Sequence, residues 1–212
     1  MRLDVPTTNA RVAAVKQTSP SAMRNREPIL AVLRNVLPER GTVLEIASGT
    51  GEHVLHFAAA LPSLVFQPSD ASAAALESVA AHLRETPLGN VRAPVRVDVT
   101  EQDWSVQHAD AVLCCNMIHI APWQACEGLM RGAGRVLGLG APLVTYGPYR
   151  FHGEFTAPSN ADFDASLRQR DPSWGVRDVD DIFACAEASG LSHERTVVMP
   201  ANNHMLVFRR QQ

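Results

Sequence analysis

Nowhere does this sequence reach the roughly 18 consecutive apolar residues that a membrane-spanning helix needs. Its amino terminus, MRLDVPTTNARVAAVKQ, is polar and carries no apolar signal-peptide core. The four cysteines, Cys114, Cys115, Cys126 and Cys185, form no C-x-x-C pair, so neither a dithiol motif nor a zinc pair is spelled out. Positive charge is not in excess either. The formal net charge is -3 and the isoelectric point is near 6.2, so there is no overall field with which to grip nucleic acid or an anionic membrane. Internal repeats and low-complexity tracts are missing too. A soluble cytoplasmic protein with reduced, structural cysteines is expected.

What is present suffices for one core. The chain has 212 residues, 46% of them apolar and 19% charged, which places it among globular proteins and makes a single domain the default. SAMRNREPILAVLRNVLP sets Ile29, Leu30, Leu33, Val36 and Leu37 at helical spacing and stops at Pro38, giving an amino-terminal helical cap over about residues 19–38. Strands and helices then alternate. Gly41 to Ile46 reads as a strand, GEHVLHFAAALP as a helix, SLVFQPSD as a strand and ASAAALESVAAHLRET as an amphipathic helix. APVRVDVT is a third strand. ADAVLCCNMIHI, apolar throughout, is a fourth buried on both faces, with Cys114 and Cys115 pointing oppositely.

PWQACEGLMRGAGRVL follows as a helix and GAPLVTYGPY as a fifth strand. Residues 150–176, with four aromatic side chains, are too long for a simple connection and are expected to form a lid or substrate-side insertion. DVDDIFACAEASG is a helix closed by Gly190, and SHERTVVMP and NNHMLVFRR are the last two strands. The fold class predicted is α/β: a doubly wound, Rossmann-like, seven-stranded and mostly parallel sheet with helices on both faces and an antiparallel last strand. Such sheets take ligands at the carboxyl ends of their strands.

The first such end is VLEIASGTGEH, residues 43–53. A dinucleotide turn needs G-x-G-x-x-G to bring a helix amino terminus against a pyrophosphate. Here the positions hold Ala47, Gly49 and Gly51, with Glu52 where the third glycine would stand, and Glu45 lies just before the turn. A carboxylate there would repel a pyrophosphate and attract a cation. S-adenosylmethionine (SAM), with an ammonium group and a sulfonium centre, brings cations to that place. Asp70, ending the second strand 21 residues after Gly49, is spaced to reach a ribose, which both cofactors contain. Asp98, with Val99 behind it, ends the third strand and is placed to accept from an adenine amino group.

These residues are similar to the first motif and later acidic positions of class I SAM-dependent methyltransferases, with Ala47 replacing the first glycine. RNREPIL, ASGTGEH, FQPSD, NMIHIAPW, YGPY and SNADFDASLRQRDPSWGVRD together resemble the methyltransferase-like family described as a domain of unknown function, which includes the animal methyltransferase-like protein 26. The likeness spans about residues 19–210. It implies the fold and SAM as cofactor, and it does not name a substrate.

Methyl transfer asks chiefly for alignment of a nucleophile with the sulfonium and exclusion of water. Asn116 and His119, at the end of the fourth strand, stand where the methyl would point. Asn116 is suited to orient the acceptor or the methionine carboxylate, and His119 to take a proton near neutrality; the alternative for His119 is a histidine packed under Trp123. Tyr146 and Tyr149 are candidates for the acceptor pocket or for plain packing. Arg24 and Asn25 are placed to fold over the cofactor, Arg24 pairing its carboxylate, or simply to start a helix. Ser159 and Asn160 either cap a helix beginning near Asp162 or contact substrate. His53 and His56 have no third ligand in view, so no metal is expected. The leading expectation is a SAM-dependent methyltransferase of a small-molecule acceptor, with a non-catalytic SAM-binding module and an NAD-dependent oxidoreductase as alternatives. Nucleic-acid and membrane partners are not expected, and the oligomeric state is not readable.

Overall fold

Ser19 opens the first helix by accepting the Ala22 amide proton on its hydroxyl, and Pro20 occupies the first helical position. A computed structural model describes residues 16–211. Most of the polar leader MRLDVPTTNARVAAVKQ, through residue 15, lies outside them. Helix α1 (Pro20–Leu33) ends short of Pro38. The Asn35 and Val36 amides donate three residues back, to Val32 and Leu33, and this tightened last turn swings Val36 into the core.

The alternation continues through β1 (Gly41–Ile46), α2 (Glu52–Ala60), β2 (Leu64–Asp70), α3 (Ala73–Glu85), β3 (Val95–Arg96), β4 (Ala111–Cys115), α4 (Trp123–Val136) and β5 (Pro142–Gly147). After β6 (Tyr149–Phe151), β7 (Glu154–Phe155), α5 (Pro158–Arg170) and β8 (Arg177–Asp178), the chain closes with α6 (Val179–Ala188), β9 (Leu191–Met199) and β10 (Asn203–Arg210). Seven strands form one sheet in the order β3-β2-β1-β4-β5-β10-β9. All pairs from β3 to β5 are parallel, whereas β10 runs antiparallel to both β5 and β9. The fold is the doubly wound, Rossmann-like α/β class. Strand order reverses beside β1: the chain works outward to β3 and returns on the other side as β4. Ligand crevices form at such switch points.

Strand alternation divides the core into two. Leu44, Ile46, Val112, Cys114 and Leu143 face α4 and α6, while Val43, Leu113, Cys115 and Val144 face α1 and α2. Cys114 and Cys115 therefore lie on opposite faces, and each fully buried leucine or valine contributes about 1.5–3 kcal/mol. Two strands are shorter than their apolar patterns predict. β3 stops at Arg96 and the backbone turns just beyond, because Asp98 takes the Thr100 amide at 3.0 Å and its hydroxyl at 2.7 Å. β4 stops at Cys115 because Asn116 adopts φ 60° and the chain enters a 3-10 turn over Ile118–Ile120.

Residues 150–176 carry regular structure. His152 and Gly153, both with positive φ, turn β6 into β7, and α5 follows. Its amino-terminal cap is Ala157 with Pro158 at the first position, so Ser159 and Asn160 sit inside the first turn rather than capping a helix that begins near Asp162. Among the described residues no helix is long and apolar enough to cross a membrane.

Candidate functional site

The turn after β1 is tied from below to Ser69 on β2. The Ser48 amide donates to the Ser69 carbonyl at 2.9 Å, and the Ser69 hydroxyl donates to the Glu45 carbonyl at 2.7 Å. Ala47, Gly49 and Gly51 all have positive φ, at 55°, 54° and 97°. Gly51 is the most constrained of the three: besides its left-handed φ, a Cβ there would stand a tight 3.1 Å from the Cα of Val79 on α3. A Cβ on Gly49 would meet only the Ala47 carbonyl, 3.9 Å away, because that position faces open space.

The open space is a cavity of about 380 Å3, lined among others by Ala47, Gly49, Thr50, Asp70, Asn116 and Met117. A second cavity of about 620 Å3 adjoins it and shares Ser21 and Asn116. Arg24, Asn25, His119, Tyr146, Asn160 and Phe163 line this second one. Helix α1 roofs both. Glu52 holds it there, its two carboxylate oxygens accepting the Ser19 amide at 2.9 and 2.8 Å while the Thr50 hydroxyl donates at 2.6 Å. A second tie is His53, whose Nε2 lies 2.7 Å from Asn25 Oδ1 and whose ring stacks on Phe57. Burial pulls the His53 imidazole down to about 4, so it is neutral at pH 7 and donates to the Asn25 oxygen.

Glu45 lines neither cavity. It lies buried beneath the turn, 2% exposed, with Oε2 lacking any hydrogen-bond partner. Burial, reinforced by the Asp70 carboxylate and opposed by Ser48, pushes its carboxyl up to about 8. An orphaned buried acid is costly unless a cation or donor reaches it. Asp70 does line the smaller cavity, but both its oxygens already take backbone protons, from Gly49 at 2.9 Å and Ser72 at 2.8 Å. Asp98 and Val99 line neither cavity. Asp98 is turned to Thr100, which holds its carboxyl below the usual range, and Val99 is packed into the core against Gly128.

His119 sits in the 3-10 turn, 5% exposed, edge-on to Phe163 at 5.7 Å between ring centroids. Its aromatic neighbour is Phe163; Trp123 opens instead onto a separate cavity. Burial, with Arg177 and Arg170 nearby, pulls its imidazole down to about 4, well below the near-neutral value expected for an unperturbed histidine. Gly147 makes room for the ring, since a Cβ there would stand 3.0 Å from Nδ1. Tyr146 faces the larger cavity, with burial raising its hydroxyl against the opposing effect of Asn25. Tyr149 does not: it is fully buried and donates to Thr145 Oγ1 at 2.9 Å, a core residue. Asn160 lines the cavity while its amide donates to Thr156 Oγ1 and to the Asn202 carbonyl.

Of the predicted residues, then, the fold gathers Arg24, Asn25, Ala47, Gly49, Asp70, Asn116, His119, Tyr146 and Asn160 around two joined cavities. It leaves Glu45 and Gly51 as supports and Asp98, Val99 and Tyr149 outside. Sequence inspection missed Glu52 as a clamp, His53 as the partner of Asn25, and Phe163. It also missed Asn202 and Asn203 at the β9–β10 tip. That tip carried one signal, the Pro-Ala-Asn-Asn run, whose Ala201 and Asn202 both take positive φ. Among the described residues no group of three or more His, Cys, Asp or Glu could hold a metal.

The profile of a family described as protein of unknown function, DUF938, matches residues 16–210. The mitomycin 7-O-methyltransferase MmcR superposes with a TM-score of 0.76 at 18% identity, over 90% of this chain and 54% of that one. An O-methyltransferase family protein from Burkholderia thailandensis does so at 0.76 and 17%, over 91% and 58%. CalO1, a methyltransferase in calicheamicin biosynthesis in its SAH-bound form, gives 0.71 and 19%, over 89% and 55%. At these identities the likeness is one of fold, and the chain spans little more than half the length of each.

Proposed function

This chain belongs to the DUF938 family, and from that premise we propose that it is a SAM-dependent methyltransferase acting on a small-molecule acceptor. One observation carries the proposal: two cavities meet at Asn116, one over the turn after β1 and the other beside His119 and Tyr146. A cofactor in the first and an acceptor in the second would meet at the strand end where the methyl must pass. The methyltransferase folds of the solved neighbours, one of them with S-adenosylhomocysteine (SAH) bound, support the same assignment. So does the likeness, carried by RNREPIL and NMIHIAPW, to the animal methyltransferase-like protein 26.

The donor set fits SAM better than a dinucleotide. An acid with an unpartnered oxygen beneath the turn, protonated in the ligand-free protein, would ionise under a cation close above it and would gain no such stabilisation beside a pyrophosphate. In this proposal Ala47 and Gly49 floor the cofactor site, Asp70 meets the ribose with its remaining lone pairs, and Arg24 and Asn25 close from α1 over the methionine carboxylate. SAM, when bound, supplies an activated methyl. The chain's own residues orient and dehydrate: Asn116 aligns the two ligands, α1 and α5 exclude water, and residues 150–176 act as the lid. His119, neutral across the physiological range, is positioned to accept the acceptor's proton. The free cysteines among the described residues fit a cytoplasmic location.

The low basicity of His119 favours a second reading, a SAM-binding module without catalysis. Calorimetry with SAM, SAH and NAD tests binding; micromolar SAM and SAH with NAD inert is expected, and NAD binding in place of SAM refutes the assignment. An assay for SAH release against a metabolite extract then separates enzyme from module, which would leave the signal at background.

A further inference from the structure

Behind the turn that carries His119 lies a separate cavity of about 510 Å3, between α5, α6 and the small sheet of β6, β7 and β8. Arg150, Arg168 and Arg177 reach it from β6, α5 and β8, and Trp123 and Cys185 complete much of the wall. Two acids, Asp178 and Asp181, also line it. Asp178 is committed, its two oxygens taking the Asp180 amide at 3.0 Å and the Gly153 amide at 2.6 Å. Asp181 is exposed and pairs with none of the three arginines.

The arginines are unequally satisfied. Arg177 donates to the Ser173 and Ala121 carbonyls at 2.6 and 2.7 Å. Arg168 donates through Nε to Asp164 at 2.7 Å, and its terminal nitrogens make no hydrogen bond among the described residues. Arg150 makes no hydrogen bond or ion pair among the described residues; its Nε is buried without a partner and its guanidinium lies 5.6 Å from the Phe155 ring centre. Gly175 packs against the Arg168–Asp164 pair. Its φ is +152°, and a Cβ there would stand 2.6 Å from Arg168 Nη2, so the glycine is what lets that guanidinium lie against the backbone. Like charges crowd here too, Arg168 and Arg150 both pulling the Arg177 guanidinium down after burial.

Three guanidinium groups line one cavity, and that of Arg150 has no hydrogen bond or ion pair among the described residues; such a set is matched by an anion that offers several oxygens at once. We propose that this cavity is a second binding site, distinct from the cofactor and acceptor cavities, and that it takes a phosphate group, either free or as the monoester of a small metabolite. The volume exceeds what one phosphate fills, which leaves room for an organic remainder against Trp123.

The test is calorimetry on the full chain with inorganic phosphate and with glycerol 3-phosphate, at ionic strength matched with chloride and with SAH present or absent. Saturable phosphate binding that SAH does not displace is expected, weakened at least about tenfold in Arg150→Gln and unchanged in the control Arg96→Gln. Arg150 has no hydrogen bond to lose, so a thermal melt should show Arg150→Gln folded. Arg168→Gln, which keeps the backbone bonds of Arg177, serves as a second variant with the same expected loss. Tighter binding of the ester than of free phosphate identifies the metabolite as the source, and equal affinity identifies free phosphate. Equal phosphate affinity in wild type and in both variants, no binding above chloride, or displacement by SAH would overturn the proposal. Failure of SAH to bind would count against the methyltransferase assignment alone.

Discussion

At the scale of single residues, the buried Glu45 carboxyl makes the sharpest prediction. With its value raised to about 8 it is mostly protonated at pH 7 in the ligand-free protein. A cationic ligand nearby would ionise it, so SAM binding near neutrality should release a proton, visible as a dependence of the calorimetric enthalpy on buffer. Glu45→Gln should abolish that release and weaken binding by about 1–3 kcal/mol. The folded value lies above the unfolded one, so the ligand-free protein should lose stability as pH rises from about 4.5 through about 8, and the glutamine variant should not. His119 shifts the other way. Its folded value near 4 lies below the ordinary 6.5, so its contribution to stability is present above pH 6.5 and lost as pH falls through 4. If His119 is the base, turnover stays flat from pH 8 down to about 5, and His119→Ala lowers it by about a hundredfold with SAM affinity kept. A turnover that halves near pH 6.5 would mean that another group takes the proton.

At the scale of elements, the loop after β1 and helix α1 act as one clamp. Asp70 joins the turn to the start of α3 through the Gly49 and Ser72 amides. Asp70→Ala should therefore lower both cofactor affinity and ligand-free stability, the latter by about 1–2 kcal/mol. A loss of affinity alone would make Asp70 purely a ribose ligand. Gly51→Ala tests the backbone: left-handed φ and contact with Val79 should together cost about 1–3 kcal/mol, read as a lower melting temperature. Helix α1 is anchored at Glu52 and His53, and Glu52→Gln should loosen it, seen as faster amide exchange over residues 19–25 with β1 and β4 unaffected.

At the scale of the whole molecule, the switch point between β1 and β4 puts the cavity proposed for the cofactor where both halves of the sheet contribute. A ligand there ties the halves together. SAH at a hundred times its dissociation constant should stabilise the protein by about 2.7 kcal/mol, and NAD at the same concentration should leave the melting temperature unmoved.

The sequence by itself determined the order of the seven main-sheet strands and the helices between them, though not the small sheet of β6, β7 and β8, because strand and helix periodicities are local and the turn glycines and prolines punctuate them. It also pointed to two strand ends that open onto the cavities, since Asp70 closes and Asn116 follows an apolar run, whereas Asp98, singled out by the same pattern, lines neither cavity. Tertiary structure alone decided what those side chains do. Glu45 became an orphaned acid because the turn folds over it, and Asp70 became a strut because Gly49 brings its amide within 2.9 Å. His119 lost basicity to the burial that Phe163 and Gly147 allow. Tyr146 and Tyr149, alike in sequence, parted because an odd spacing across the end of β5 sends one to the cavity and the other to the core. Burial and partner choice depend on residues distant along the chain, and no local pattern records them.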